Sequence, residues 1–96
     1  MTLDEFRSSL DAAVPPAGLG PALDALWWQG KGDWQKAHGA AQATDDADGA
    51  WVHAHLHRVE GDLDNAGYWY RRASQPVAEG PLDAEWAQIT ASLLAR

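Results

Sequence analysis

The sequence predicts an all-α fold of two consecutive helical hairpins, flanked by an N-terminal and a C-terminal helix. The first observation behind this is a repeated Gly-Asp step, Gly32-Asp33 and Gly61-Asp62, with matched flanks. Seven residues before each glycine stands a small residue, Ala25 or Ala54; four before it a large ring, Trp28 or His57; five after it Ala37 or Ala66. This is the spacing of a helix, a tight glycine turn and a second helix, written twice. The second observation is helical periodicity at both ends of the chain. The third is punctuation: residues that start and stop helices fall at the expected boundaries.

The elements follow in order. Thr2 with Glu5 three residues on forms a capping box, and Leu3, Phe6, Leu10 and Val14 recur at helical spacing, so a first helix is expected over about 3–13. Pro15-Pro16 ends it, because proline has no N–H and restricts the residue before it. A turn at Ala17 to Pro21 leads to a helix over about 22–30, closed by Gly30-Lys31-Gly32. Asp33 is suited to cap the next helix, about 34–43. An acidic loop, Thr44 to Gly49, precedes a helix over about 49–60 that Asp48 is expected to cap. Gly61 supplies the left-handed residue that ends it, and Asp62 caps 63–74. After a loop with two prolines, Trp86, Ile89, Thr90, Leu93 and Leu94 put a one-sided apolar stripe on a last helix, about 83–95. The 96 residues are expected to form one domain (1–96), with hairpins over about 22–44 and 49–74.

Composition narrows the function classes. The formal charge of −7 opposes phosphate backbones and anionic lipid, so neither nucleic acid nor a membrane surface is the expected partner. The absence of cysteine excludes disulfides and thiolate metal sites. No apolar run approaches the ~18 residues that cross a bilayer, and the start Met1 to Phe6 is acidic where a secretory signal is basic, so a cytoplasmic address is expected. Six tryptophans are many for so short a chain, and each brings a large apolar area with one N–H that needs a partner.

The matched small, large, glycine and alanine positions make the two hairpins resemble tetratricopeptide repeats, over about 22–44 and 50–74. The copies are offset by 29 residues, where that family repeats every ~34, and Asp24, His53 and His57 stand where it places large hydrophobic residues. A second likeness covers most of the chain. Trp51 to Arg58, Glu60-Gly61-Asp62, Asn65 to Ala73, Pro15 to Leu19, Ala25 to Trp28 and Gly32-Asp33-Trp34 look like a family of small bacterial proteins. That resemblance implies a bacterial, cytoplasmic protein and no particular reaction.

The tetratricopeptide resemblance implies a non-catalytic scaffold that binds a protein or peptide. The first helix of each hairpin lines the family's concave face, which puts Ala22, Leu26 and Gln29 there in the first copy, and Trp51, His55 and Arg58 in the second. The alternative for these residues is core or homodimer contact. Arg71 and Arg72, with Arg58 if the hairpin brings it near, are candidates for an anion or carboxylate site. The blander account is that they complement the helix dipole and pair with some of the 14 acids.

A runner-up reading comes from the histidines. His53 and His57 are i and i+4, and Glu60 is i+7, so the three share a helical stripe of the type that holds Zn²⁺. His55 points roughly 160° away from that stripe. The hydrolytic form of the motif needs Glu beside the first His, and Ala54 stands there. His38, on the preceding hairpin, is the one further imidazole within conceivable reach. The simpler expectation is packed, hydrogen-bonded histidines and no cofactor. The acidic loop fails as a calcium loop, because setting Gly49 at the sixth place puts Thr44 first and His55 twelfth. No nucleophile grouping and no phosphate loop is legible, so binding is expected ahead of catalysis. An enzyme using His57 as a base, with Tyr70 or Arg71 nearby, is the third class.

Overall fold

The structure, a computed structural model describing residues 1–96, consists of six helices and no strand: α1 (Leu3–Ser9), α2 (Pro21–Gly30), α3 (Trp34–Gln42), α4 (Ala47–Val59), α5 (Leu63–Ala73) and α6 (Leu82–Leu94). The two Gly-Asp steps build the same turn. Gly32 and Gly61 adopt φ +81° and +86°, a left-handed conformation in which a Cβ is strained. The amide of the following Asp reaches back into the helix just ended, Asp33 to the Trp28 carbonyl and Asp62 to the His57 carbonyl, both at 2.9 Å. The same two aspartates then cap the next helix, accepting from the amides of Lys36 and Asn65. One residue thus closes one helix and opens another, which fixes the angle of each hairpin. Ala25, Ala37, Ala54 and Ala66 are buried between the paired helices, where a longer side chain would hold the backbones apart.

Two boundaries differ from the sequence expectation by two residues or more. The first helix ends at Ser9 rather than near 13. The Ser9 hydroxyl bonds the Phe6 carbonyl, Lys31 Nζ takes the carbonyls of Leu10 and Ala12, and the prolines that follow offer no N–H to carry the helix on. Val14 is consequently exposed and is not part of the apolar stripe. The fourth helix begins two residues early, capped by Asp46 through the Gly49 amide at 2.8 Å. Asp48 instead pairs with Arg96. The fifth helix closes on Ser74, the only non-glycine residue with positive φ, at +56°.

Both hairpins contribute to a core of Phe6, Leu26, Trp27, Val52, Leu56, Tyr70 and Ile89. Three tryptophan N–H groups, one in this core and two packed against it, tie elements together. Trp27 donates to Ser9 Oγ, Trp34 to the Leu56 carbonyl and Trp86 to the Leu26 carbonyl. The last helix packs on α4, α2 and α1 and so lies across the first helices of both hairpins. No helix is long and apolar enough to cross a membrane.

Candidate functional site

The central helix α4 carries three histidines in five residues, and all three are buried. Steps of 100° send His53 and His57 to one side and His55 to the other. The result is two sites of opposite chemistry on one helix.

On the first side, His53 and His57 meet His38 from α3. One nitrogen from each ring lies within 4.8 Å of the other two, and His53 Nε2 stands 2.9 Å from His38 Nε2. Aromatic rings hold the set in place. Trp69 of α5 stacks on His53 at 3.9 Å between centroids and 7° between planes, and Trp34 stacks on His38 at 4.7 Å and 10°. Trp34 and His38 are i and i+4 on α3, which places one ring over the other. His57 Nδ1 donates to Glu60 Oε1 at 2.6 Å, which fixes its tautomer and leaves Nε2 as the lone-pair nitrogen. Asn65 Nδ2 is the nearest donor to that nitrogen, at 3.4 Å.

The electrostatics of this side favour neutral rings at His53 and His38. Burial lowers the His53 pKa from 6.5 to about 4, and the neighbouring charges of His38, His57 and Arg72 push the same way. Burial and His57 also lower His38, with Glu60 opposing. Of the stripe read from sequence, the structure brings His53, His57 and Glu60 together, with Glu60 bonded behind His57. It adds His38 as the third nitrogen donor. Glu60 and Asp62 form a second, more exposed grouping with His57.

On the other side, His55 Nδ1 bonds Glu85 Oε1 of α6 at 2.7 Å. The same carboxylate accepts from the Tyr70 hydroxyl and from Arg58 Nη1 at 3.2 Å, and Arg58 Nη2 donates to the Gly80 carbonyl. Burial alone would raise the Glu85 pKa. The bonds from His55, Tyr70 and Arg58 outweigh it and hold the carboxyl below its ordinary range. Burial, reinforced by the Glu85 contact, raises the Tyr70 pKa far above its ordinary 10.

Part of the row assigned to a concave face is met by α6, through Trp86 at the Leu26 carbonyl and Glu85 at His55 and Arg58. Leu26, Trp51 and His55 are buried, Arg58 is engaged by Glu85 and Gly80, and Gln29 lines a cleft beside α6. Arg72 bonds the Tyr68 hydroxyl and Asp45 and lies over the Trp69 ring, while Arg71 is exposed. Arg58 and Arg72 therefore serve different partners.

Sequence reasoning passed over three participants. Trp34 and Trp69 were countable as tryptophans, but their stacking partners lie on other helices or a turn away. Glu85 had a legible signal: it is i−4 from Ile89 and i−8 from Leu93, an acid in line with an apolar stripe. An acid at such a position needs buried donors. Comparison with protein-family models, with curated proteins and with solved structures finds no match.

Proposed function

We propose that this protein binds a divalent transition-metal ion of the zinc type through His38, His53 and His57. The observation that carries the reading is the convergence of three imidazoles from two hairpins, with Glu60 bonded to the far nitrogen of one of them. Imidazole suits zinc, copper, nickel and cobalt, and three histidines leave one coordination position for water or a ligand. A carboxylate behind a ligating histidine orients the ring and raises its basicity, which is the role Glu60 fits toward His57. Burial keeps His53 from becoming an imidazolium at neutral pH, and the one proton shared across the 2.9 Å contact between His53 Nε2 and His38 Nε2 moves to a far ring nitrogen when an ion binds. In a tetrahedral site with bonds of ~2.0–2.1 Å, ligand nitrogens stand about 3.3 Å apart; here the His38–His53 pair is at 2.9 Å and all three nitrogens lie within 4.8 Å of one another.

Untagged protein titrated with Co²⁺ and Zn²⁺ tests this. Saturable binding at one ion per chain, with the visible spectrum of nitrogen-ligated cobalt, is the expected result. Substitution of His53 or His57 by Ala should lower affinity by at least tenfold, and the triple alanine variant should retain none. Binding that survives in the triple variant would place the ion elsewhere and end the reading.

A second reading, the interaction scaffold of tetratricopeptide-like type, draws on a different surface. Beside α5 runs a groove of about 440 Å³ walled by Leu63, Ala66, Val77 and Ala78, and Leu63 and Val77 are 67% and 60% exposed. Apolar side chains so placed suit a protein or peptide partner, including a second copy of the chain. A sedimentation series with Leu63→Glu checks the homodimer form: a concentration-dependent dimer in the parent chain, absent in the variant, supports it.

A further inference from the structure

The cleft beside α6 lies on the opposite side of α4 from the three-histidine cluster. It has a volume of about 610 Å³, within the ~300–1,000 Å³ of small-molecule sites. Leu10, Val59 and Trp86 give it an apolar wall, and Arg7, Gln29 and His55 give it polar groups. Two of these polar groups have chemistry to spare.

The first is His55. Its Nδ1 donates to the Glu85 carboxylate, which is held by three donors, so Nε2 is the ring nitrogen outside that network. Nε2 has no hydrogen-bond partner in the protein. The one sealed side-chain polar atom without a partner is Gln29 Oε1. His55 Nε2 is therefore not sealed, and His55, 1% exposed, lines the cleft. A carboxylate-backed imidazole facing a cavity is an oriented acceptor for an O–H or N–H. The second is Arg7. Its guanidinium lies 5.9 Å from the Trp86 ring centroid and pairs with no carboxylate, in a chain of net charge −7. The cleft's other charged residue, Asp83, already accepts from the Ala84 amide at 2.9 Å.

We infer that this cleft binds a small carboxylate-bearing molecule with an apolar, ring-sized body and one O–H or N–H. The carboxylate meets Arg7, the body packs on Leu10, Val59 and Trp86, and the hydroxyl or amine donates to His55 Nε2. The site is independent of the metal reading, since His55 belongs to neither the three-histidine cluster nor its supporting groups.

The test is an amide-resolved NMR titration of the full chain with 3-(4-hydroxyphenyl)propanoate. Two companion probes each lack one feature: 3-phenylpropanoate has no donor, and 3-(4-hydroxyphenyl)propanamide has no charge. Saturable shifts at the amides of Gly30, Val59 and Trp86 are expected with the parent probe. Loss of the donor should weaken binding three- to tenfold, and loss of the charge about tenfold. The variant Arg7→Gln, which changes an exposed side chain outside the core, should bind the acid and the amide equally. The probe series tests the His55 contact without altering a buried residue, so a folding defect cannot stand in for a binding defect. No saturable shift at those amides, equal binding of acid and amide by the parent chain, or no loss on removing the hydroxyl would overturn the proposal.

Discussion

The two sides of α4 present the same side chain to different neighbours, and the neighbours decide what it becomes. His55 faces α6 and finds an ionised carboxylate, a phenol and a guanidinium, so its Nδ1 is committed to a buried hydrogen-bond network. His53 faces α3 and α5 and finds two imidazoles and an indole, so nothing compensates a proton on its ring. The first side binds the fold together through charge. The second is held by stacking and by one imidazole–imidazole hydrogen bond, His53 to His38, with no carboxylate against His53. Burial is alike on the two sides, 1% exposure for His55 and 4% for His53, so burial does not separate them. Partner chemistry does.

The sharpest way to break this contrast is at Glu85. Glu85→Ala leaves Tyr70, Arg58 and His55 facing a void, and removing one member of a buried charge network costs about 3–5 kcal/mol. His53→Leu removes a ring that carries no buried charge, at about 1 kcal/mol or less for the metal-free protein. Chemical denaturation of both variants checks the pair. Equal losses would show that the two sides are energetically alike. Glu85→Gln keeps the volume and two acceptor sites and should fall between them.

The next effect is on pH. The folded His53 pKa lies below the unfolded 6.5, so the unfolded chain binds more protons between the two values. Stability is fully present above pH 6.5 and is lost as pH falls toward about 4. For the metal-free protein the loss is on the order of 2 kcal/mol by pH 5. The groups facing His53 are His38 on α3, His57 on α4 and Arg72 on α5, and all of them oppose its protonation. Glu85 acts lower. Its folded pKa is below 4.5, so its contribution is present above that value and disappears only as pH drops through the folded pKa. Denaturation midpoints measured from pH 7 to 4 should show the His53 component in the parent chain and not in His53→Leu.

How far this was legible in the sequence differs between the two sides for a physical reason. The hairpins were readable because glycine, aspartate and alanine act locally: φ, a cap and a close approach need only residues within one turn. The stripe of His53, His57 and Glu60 was readable for the same reason, being one helix face. His38 was visible only as a residue within possible reach, because its place depends on how α3 packs on α4. The role of α6 was the least legible. That Leu26, His55 and Arg58 would meet the chain's own last helix follows from a docking 30 residues away in sequence, between His55 and Glu85. A capping boundary such as Asp46 against Asp48 turns on which carboxylate finds the amide first, and Arg96, which holds Asp48, lies at the far end of the chain.

The smallest expected effect on stability sharpens the comparison most. Glu60 is half-exposed and touches only the edge of the three-histidine side, through His57 Nδ1. Glu60→Gln should change stability by no more than about 0.5 kcal/mol, since surface partners of this kind contribute little. If the side is structural, nothing else should change. If it is a metal centre, Glu60 orients a ligand and raises its basicity, and its replacement should weaken Zn²⁺ binding by about 10–100-fold while the fold is untouched. Zinc at a hundred times its dissociation constant stabilises a protein by about 2.7 kcal/mol, so the gain in melting temperature on adding zinc should shrink in Glu60→Gln at equal metal concentration. The same substitution should leave probe binding at the cleft unaltered, because no bond joins Glu60 to His55, Arg58 or Glu85. A variant silent on one side of α4 and consequential on the other would establish that the helix carries two separable sites.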